Sequence, residues 1–228
     1  MPTRLVLPRS ESAPRIGIVE DEGITGDVLA AVCAREFGAQ VVVRQTLGRV
    51  GLAGLLEHKP DLALLDICLP DFDGLDVAAE IRRELPRTRV MALSALRDPL
   101  TFLRVRELGL HGFVDKREQS VTVLKTAIAA VLEGRSYFSP VMAAVLAELR
   151  RDPHAFHLVL SEHEQRVLVL IGNAKTDEEI AATVGLSPAT IQSRRRDIMK
   201  KLNIHSTPKL IHYATAMGFS RLGRYLPK

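Results

Sequence analysis

Tryptophan is absent from these 228 residues, and all aromatics together make up only 4% of them. No apolar run comes near the roughly 20 residues that a membrane-spanning helix needs, so no transmembrane segment is predicted, and no membrane partner is expected. The first ten residues, Met1 to Ser10, include Arg4 and Arg9 but neither a long apolar stretch nor a small-residue cleavage site, so they predict a loose cytosolic tail and not an export signal. Cysteine is scarce as well. Cys33 and Cys68 stand in apolar surroundings without CxxC or Cys/His spacing, which argues against a disulfide framework or a zinc site and predicts buried thiols.

What the chain has in quantity is apolar side chains, 46% of the total, ample for ordinary cores. Its length points to two domains. Charge separates them. Residues 1–140 carry 18 Lys and Arg against 19 Asp and Glu, for a net −1, whereas residues 141–228 carry 13 against 8, for a net +5. The shorter, basic part is the candidate for meeting a polyanion.

Residues 15–133 alternate strand and helix patterns. Strands are predicted at Arg15–Val19, Gln40–Arg44, Asp61–Asp66, Arg89–Leu93 and His111–Asp115. Helices are predicted at Asp27–Phe37, Gly51–His58, Asp73–Glu84, Pro99–Leu108 and Ser120–Leu132. Five such units imply a five-stranded doubly wound parallel α/β sheet with function at the strand C-termini. A break at Arg135–Pro140 leads to an apolar-rich linker helix, Val141–Arg150. From Ser161 only helices are predicted, at about Glu162–Ile171, Asp177–Val184, Pro188–Leu202 and Pro208–Met217. Ser161 with Glu164 and Thr176 with Glu179 form S/T-x-x-E capping boxes, and Ser187 followed by Pro188 marks a third helix start. The Val184-Gly185-Leu186-Ser187 break is the short turn of a helix-turn-helix. The expected boundaries are a tail over 1–13, an α/β domain over 14–134, a linker over 135–157 and a helical domain over 158–228.

Leu62-Ala63-Leu64-Leu65 delivers Asp66 to the end of a buried strand, where open α/β sheets place reactive groups. One aspartate there also fits a helix cap or a solvated loop group; the company it keeps selects the site reading. Val19 is followed by Glu20 and Asp21, Leu93 by Ser94, and Asp115 by Lys116, so one sheet edge gathers three carboxylates, a hydroxyl and an ammonium. Hard oxygen ligands of this kind suit Mg2+. With the metal neutralising charge, Asp66 can act as a nucleophile on phosphorus, while Ser94 and Lys116 contact the phosphoryl oxygens. Glu22 is expected in a first helical turn, and Asp71 and Asp73 in loop shaping and capping.

These residues resemble the CheY-like receiver domains of two-component response regulators over about 14–134: an acidic pair, an aspartate followed by x-x-[LM]-P-x-x-[DG]-G, a Ser/Thr and a Lys. The resemblance implies that a sensor histidine kinase phosphorylates Asp66. It implies a metal site of Glu20, Asp21, Asp66 and the Cys68 backbone carbonyl, a switch pair of Ser94 and Phe113, and a phosphate-contacting Lys116. Glu20 stands where Asp is commoner, and Arg117 where many receivers have Pro.

In Ser187–Leu202, Ile191, Ile198 and Leu202 form an apolar stripe, while Thr190, Gln192, Ser193, Arg194, Arg195, Arg196 and Lys200 supply hydroxyl, amide and cationic groups suited to phosphates and base edges. A solvated basic face without a ligand is the alternative for an isolated helix. Together with Leu160–Leu168 and Glu179–Ala181, the segment resembles the four-helix LuxR-type domain over about 158–220, and the two halves resemble a response regulator of the NarL/FixJ type. Gln192, Arg194 and Asp197 replace the usual Lys, His and Asn. The resemblance implies a cytoplasmic, non-enzymatic transcription regulator that binds double-stranded DNA and forms a homodimer when phosphorylated. Two other functions fit some of the same residues. A magnesium phosphohydrolase using Asp66 lacks a second acid two positions on, where Cys68 stands, and an orphan regulator would bind DNA without phosphorylation.

Overall fold

The computed structural model of the chain describes residues 12–118 and 120–222, so most of the expected tail lies outside the described residues. These residues form two compact units, one of 12–96 and 104–142 and the other of 97–103 and 143–222.

Over residues 15–132, strands β1 (Arg15–Val19), β2 (Gln40–Gln45), β3 (Leu62–Asp66), β4 (Arg89–Ser94) and β5 (Gly112–Asp115) alternate with helices α1 (Gly23–Phe37), α2 (Gly48–His58), α3 (Gly74–Glu84), α4 (Pro99–Glu107) and α5 (Val121–Leu132). The strands are parallel, in the order β2-β1-β3-β4-β5. All five residues of β3 are buried, as expected of a central strand covered on both faces. Successive side chains serve opposite layers. Ile16, Ile18, Leu62, Leu64, Met91 and Leu93 join Leu29, Cys33, Ala127 and Ile128 in one core, on the side of α1 and α5. Both cysteines are free thiols.

The sheet has a sixth strand, which corrects the expected count of five. β6 (Tyr137–Phe138) pairs in parallel with Gly112 and Phe113 of β5. After α5 the chain turns at Gly134 and passes beside β5, whose outer edge would otherwise leave backbone groups unpaired. Tyr137 N–H donates to His111 O, and Ser139 N–H donates to Phe113 O.

The helices that follow are α6 (Pro140–Arg151), α7 (Phe156–Val159), α8 (Glu162–Gly172), α9 (Asp177–Val184), α10 (Pro188–Lys201), α11 (Thr207–Met217) and α12 (Phe219–Leu222). The four expected helices α8–α11 are thus joined by two single turns, α7 and α12, which meet through Phe156 and Phe219, edge to face at 4.9 Å. The core of this unit draws Val167, Leu168 and Ile171 from α8, Ile180 from α9, Ile191 and Ile198 from α10, and Leu210 and Ala214 from α11. Both capping boxes close as the sequence predicts, and Ser187 Oγ accepts from Thr190 N–H to cap α10. Gly185 at φ 71° takes the left-handed conformation that stops α9 and turns the chain toward α10, a conformation a side chain would strain. Among the described residues, no helix is long and apolar enough to cross a membrane.

Candidate functional site

β3 ends on Asp66, and the parallel register brings its neighbours' ends to the same edge: Val19 stands opposite Leu65, Leu93 opposite Asp66, and Ser94 opposite Asp115. Asp66 and Glu20 are nearly inaccessible, at 4% and 3%. Lys116 Nζ reaches both, 2.8 Å from Asp66 Oδ2 and 2.7 Å from Glu20 Oε1, with Glu22 Oε2 at 3.8 Å. Asp21 is exposed, and an oxygen from each of Glu20, Asp21 and Asp66 fits within a 4.8 Å cluster.

One ammonium among three carboxylates leaves the negative charge in excess. Burial, opposed by Lys116 and reinforced by the charge on Asp66, pushes the Glu20 carboxyl up to about 7. Burial and the neighbouring Asp66 also raise Asp21. For Lys116, burial disfavours the charged form, but Asp66 and Glu20 outweigh it, so its pKa rises and the ammonium persists. Glu20 Oε2 is buried without a hydrogen-bond partner. A buried acceptor left without a donor is costly, and a cation against it would relieve both that cost and the excess charge. Carboxylate oxygens without thiolate or imidazole fit a hard divalent ion such as Mg2+.

The loop behind Asp66 is held by backbone geometry. Cys68 N–H donates to Asp66 Oδ1 at 2.9 Å, and Cys68 pairs with Asp73 in an isolated antiparallel bridge. Asp73, fully buried, caps α3 by accepting from Leu75 N–H at 2.8 Å and takes Arg104 Nη1 at 3.0 Å. Gly74 admits the start of α3 against the strand end, for a Cβ there would stand 1.9 Å from the Asp66 carbonyl oxygen. Asp71 accepts from Gly48 N–H at 2.6 Å and Arg49 N–H at 3.0 Å, so it caps α2 from a distant loop.

Ser94 is fully buried, its Oγ accepting from Leu96 N–H at 3.1 Å, and Phe113 is fully buried in β5 beside Ala92 of β4 and Phe138 of β6. Sequence reasoning missed Asp115. Its N–H donates to Ser139 Oγ at 3.0 Å, and its Oδ1 accepts from Arg117 N–H at 2.9 Å, anchoring the 3-10 turn that carries Lys116. The available signal was a second carboxylate at the end of an apolar strand.

In the second unit, α9 and α10 meet at the Gly185 turn. Ile191 and Ile198 are buried and Leu202 nearly so, while Gln192, Ser193, Arg196 and Lys200 are exposed. Thr190 is half-buried, its Oγ1 2.8 Å from Ser187 Oγ. The three consecutive arginines diverge. Arg194 turns toward a groove of about 620 Å³ shared with His163 and Arg166. Arg195 is turned inward onto Asp177 Oδ1, with Nε at 3.0 Å and Nη2 at 2.5 Å, and its side chain is only 12% exposed. Arg195, expected to face outward, thus has its head group engaged by a carboxylate in this arrangement. Arg196 alone of the three projects freely outward.

Comparisons with known proteins agree with this geometry. Residues 16–129 match the response regulator receiver domain, and residues 158–214 match the bacterial regulatory proteins of the luxR family. A putative transcriptional regulator of Pseudomonas aeruginosa is 35% identical over 179 residues, covering 78% of this chain and 86% of that protein. The response regulator protein VraR of Staphylococcus epidermidis is 23% identical over 202 residues, covering 89% and 96%. Among solved structures, RcsB of Salmonella enterica serovar Typhimurium, bound to a promoter in the presence of the phosphomimetic BeF3-, has a TM-score of 0.64 at 21% identity and covers 90% of this chain and 99% of that one; at that identity the likeness shows the fold.

Proposed function

The chain belongs to the two-component response regulators that join a receiver domain to a LuxR-type DNA-binding domain, and we propose that phosphoryl transfer to Asp66 from a sensor histidine kinase controls its hold on DNA. The observation that carries the reading is the Lys116 ammonium shared between Asp66 and Glu20 at a strand-end carboxylate cluster. The receiver is assigned to residues 14–134, the linker to 135–157 and the DNA-binding domain to 158–228. The protein is assigned to the cytoplasm, where kinase and DNA are both in reach.

An oxygen of Asp66 attacks the phosphorus of the kinase's phosphohistidine. The P–O bond forms as the P–N bond breaks, and the histidine nitrogen keeps the electron pair. Asp66 is suited to this because Lys116 and Cys68 N–H hold its two oxygens in fixed directions. Glu20, Asp21, Asp66 and the Cys68 carbonyl would hold Mg2+, which when bound neutralises charge on the entering phosphoryl group. Lys116 then pairs with a phosphoryl oxygen, and the Ser94 hydroxyl turns from Leu96 toward another. Phe113 repacks into the space so released, giving the two-state element that a phosphorylation switch needs.

On the DNA side, α10 enters the major groove. Gln192 and Ser193 meet base edges, with Thr190 near the helix start, and Arg196 and Lys200 face phosphates. The promoter and phosphomimetic in the RcsB structure support pairing the two events here. A structure of two RcsB dimers on two parallel DNAs supports a dimer as the DNA-bound form.

The test is incorporation of a phosphoryl group from acetyl phosphate with Mg2+, read by intact mass. The wild type is expected to gain one group and Asp66→Asn none, with Asp21→Ala requiring more Mg2+. Undiminished incorporation in Asp66→Asn rules out the assignment.

A further inference from the structure

α9 begins with three consecutive acids, Asp177, Glu178 and Glu179, at the end of the helix whose free N–H groups ordinarily attract phosphate. Glu179 is used internally, closing the capping box with Thr176 and pairing with Lys175 at 3.0 Å. Asp177 has a different partner, Arg195 of α10, 18 residues on in sequence. Both guanidinium contacts fall on one carboxylate oxygen, and the pair is largely screened from water, at 12% and 26% side-chain exposure.

Arg195 occupies a particular place on α10. It lies three residues beyond Gln192 and next to Arg196, both exposed, and four beyond the buried Ile191. It is therefore rooted on the shoulder between the apolar stripe and the outward face. From there a long, flexible arginine side chain can turn either to Asp177 or toward a DNA backbone lying along that face. To bind there, a phosphate would have to displace a carboxylate oxygen that already accepts two guanidinium N–H bonds.

We propose that Asp177 is a positioning residue that withholds Arg195 from DNA phosphate, and so raises the ratio of specific to non-specific binding. Phosphate contacts add affinity without sequence information, so a cation kept off the backbone lowers binding to all DNA and leaves base contacts to discriminate. The net +5 of residues 141–228 would by itself favour indiscriminate binding, and this pair moderates it. The inference rests on DNA binding by α10.

The experiment titrates the full-length protein and its Asp177→Ala, Asp177→Asn, Arg195→Ala and doubly substituted (Asp177→Ala with Arg195→Ala) variants against a target duplex and a scrambled duplex at several salt concentrations. Released Arg195 should neutralise one more phosphate. The salt slope of Asp177→Ala should then steepen by about 0.9, so that between 50 and 200 mM salt its affinity falls about 3.5-fold more than that of the wild type. Scrambled DNA should gain affinity and the specificity ratio should fall. Asp177→Asn, which keeps the helix-start shape without the charge, should change in the same direction, and the double variant should return to the wild-type slope. If both Asp177 variants keep the wild-type slope, or if both lose affinity for the two duplexes alike as a broken strut would, the inference is wrong. If the wild type itself binds neither duplex, the reading of α10 fails and carries this inference with it.

Discussion

At the scale of single residues, the chemistry is set by how few donors serve how many acceptors. Lys116 divides one ammonium between two buried carboxylates, and Glu20 retains an oxygen with no partner. Ser94→Ala should leave phosphoryl incorporation largely intact yet remove the gain in DNA affinity that follows it; wild-type behaviour in both assays would show that the hydroxyl is not the coupling element. Gly74→Ala should be costly in a different way. Its Cβ would stand 1.9 Å from the Asp66 carbonyl oxygen, so α3 or the strand end must shift. A loss of about 1–3 kcal/mol and slower labelling of Asp66 are expected, measured by urea denaturation and by mass. An unchanged midpoint would show that the approach is looser than the structure has it. Asp66, Glu20 and Asp21 were legible in the sequence because an acid directly after an apolar run is unusual on its face. The pairing of Arg195 was not legible because a sequence displays charge but not its partner, and Asp177 lies on another helix. Asp115 was passed over beside the more conspicuous Lys116.

At the scale of elements, α10 is held on two sides, by Asp177 through Arg195 and by Glu164 of α8 through Lys201. Burial raises the Glu164 carboxyl, but Lys201 and the Ser161 capping box outweigh it and leave its pKa below the ordinary 4.5. A carboxyl depressed by folding stabilises the fold above its unfolded value, and that contribution fades as pH falls through the folded value. Glu164→Gln keeps a capping amide and loses the charge, so it should destabilise by about 0.5 kcal/mol at pH 7 and by less at pH 3. Thermal melts at both pH values check this, and a difference that does not shrink in acid contradicts it. On the outward face of α10, Arg196→Ala should lower the salt slope of DNA binding by about 1; an unaltered slope would place Arg196 away from the backbone.

The elements that sequence did not reveal share a physical cause. β6 has two residues and α7 and α12 four each, too short to show a period. α1 begins at Gly23, earlier than expected, because Glu22 makes no side-chain cap and glycine opens the helix. α2 begins at Gly48 because its capping carboxylate is Asp71, 23 residues away. Where a cap was local, as at Asp73, Ser120, Ser161, Thr176 and Ser187, the helix starts were legible to within a residue or so.

At the scale of the whole molecule, one unit carries the acidic site and the other the basic helix, and the charge imbalance between the two parts of the sequence already marked that division. If phosphorylation pairs two chains on DNA, each chain contributes one α10 to one half-site, and the centres should lie about 34–36 Å apart or a multiple of that. Inserting about 5 base pairs between half-sites puts the second on the opposite face of the duplex and should abolish the tight complex while leaving single-chain binding. Gel mobility of the two duplexes checks this, and equal binding to both would indicate that chains bind independently. The central claim is that a phosphoryl group on Asp66 controls DNA binding by α10. It is tested most directly by titrating a labelled target duplex with wild type and Asp66→Asn, each with and without acetyl phosphate and Mg2+, and reading fluorescence anisotropy. Wild type should bind more tightly after treatment, and Asp66→Asn should bind alike in both conditions; a wild type indifferent to treatment, or an Asp66→Asn that tightens as wild type does, would contradict it.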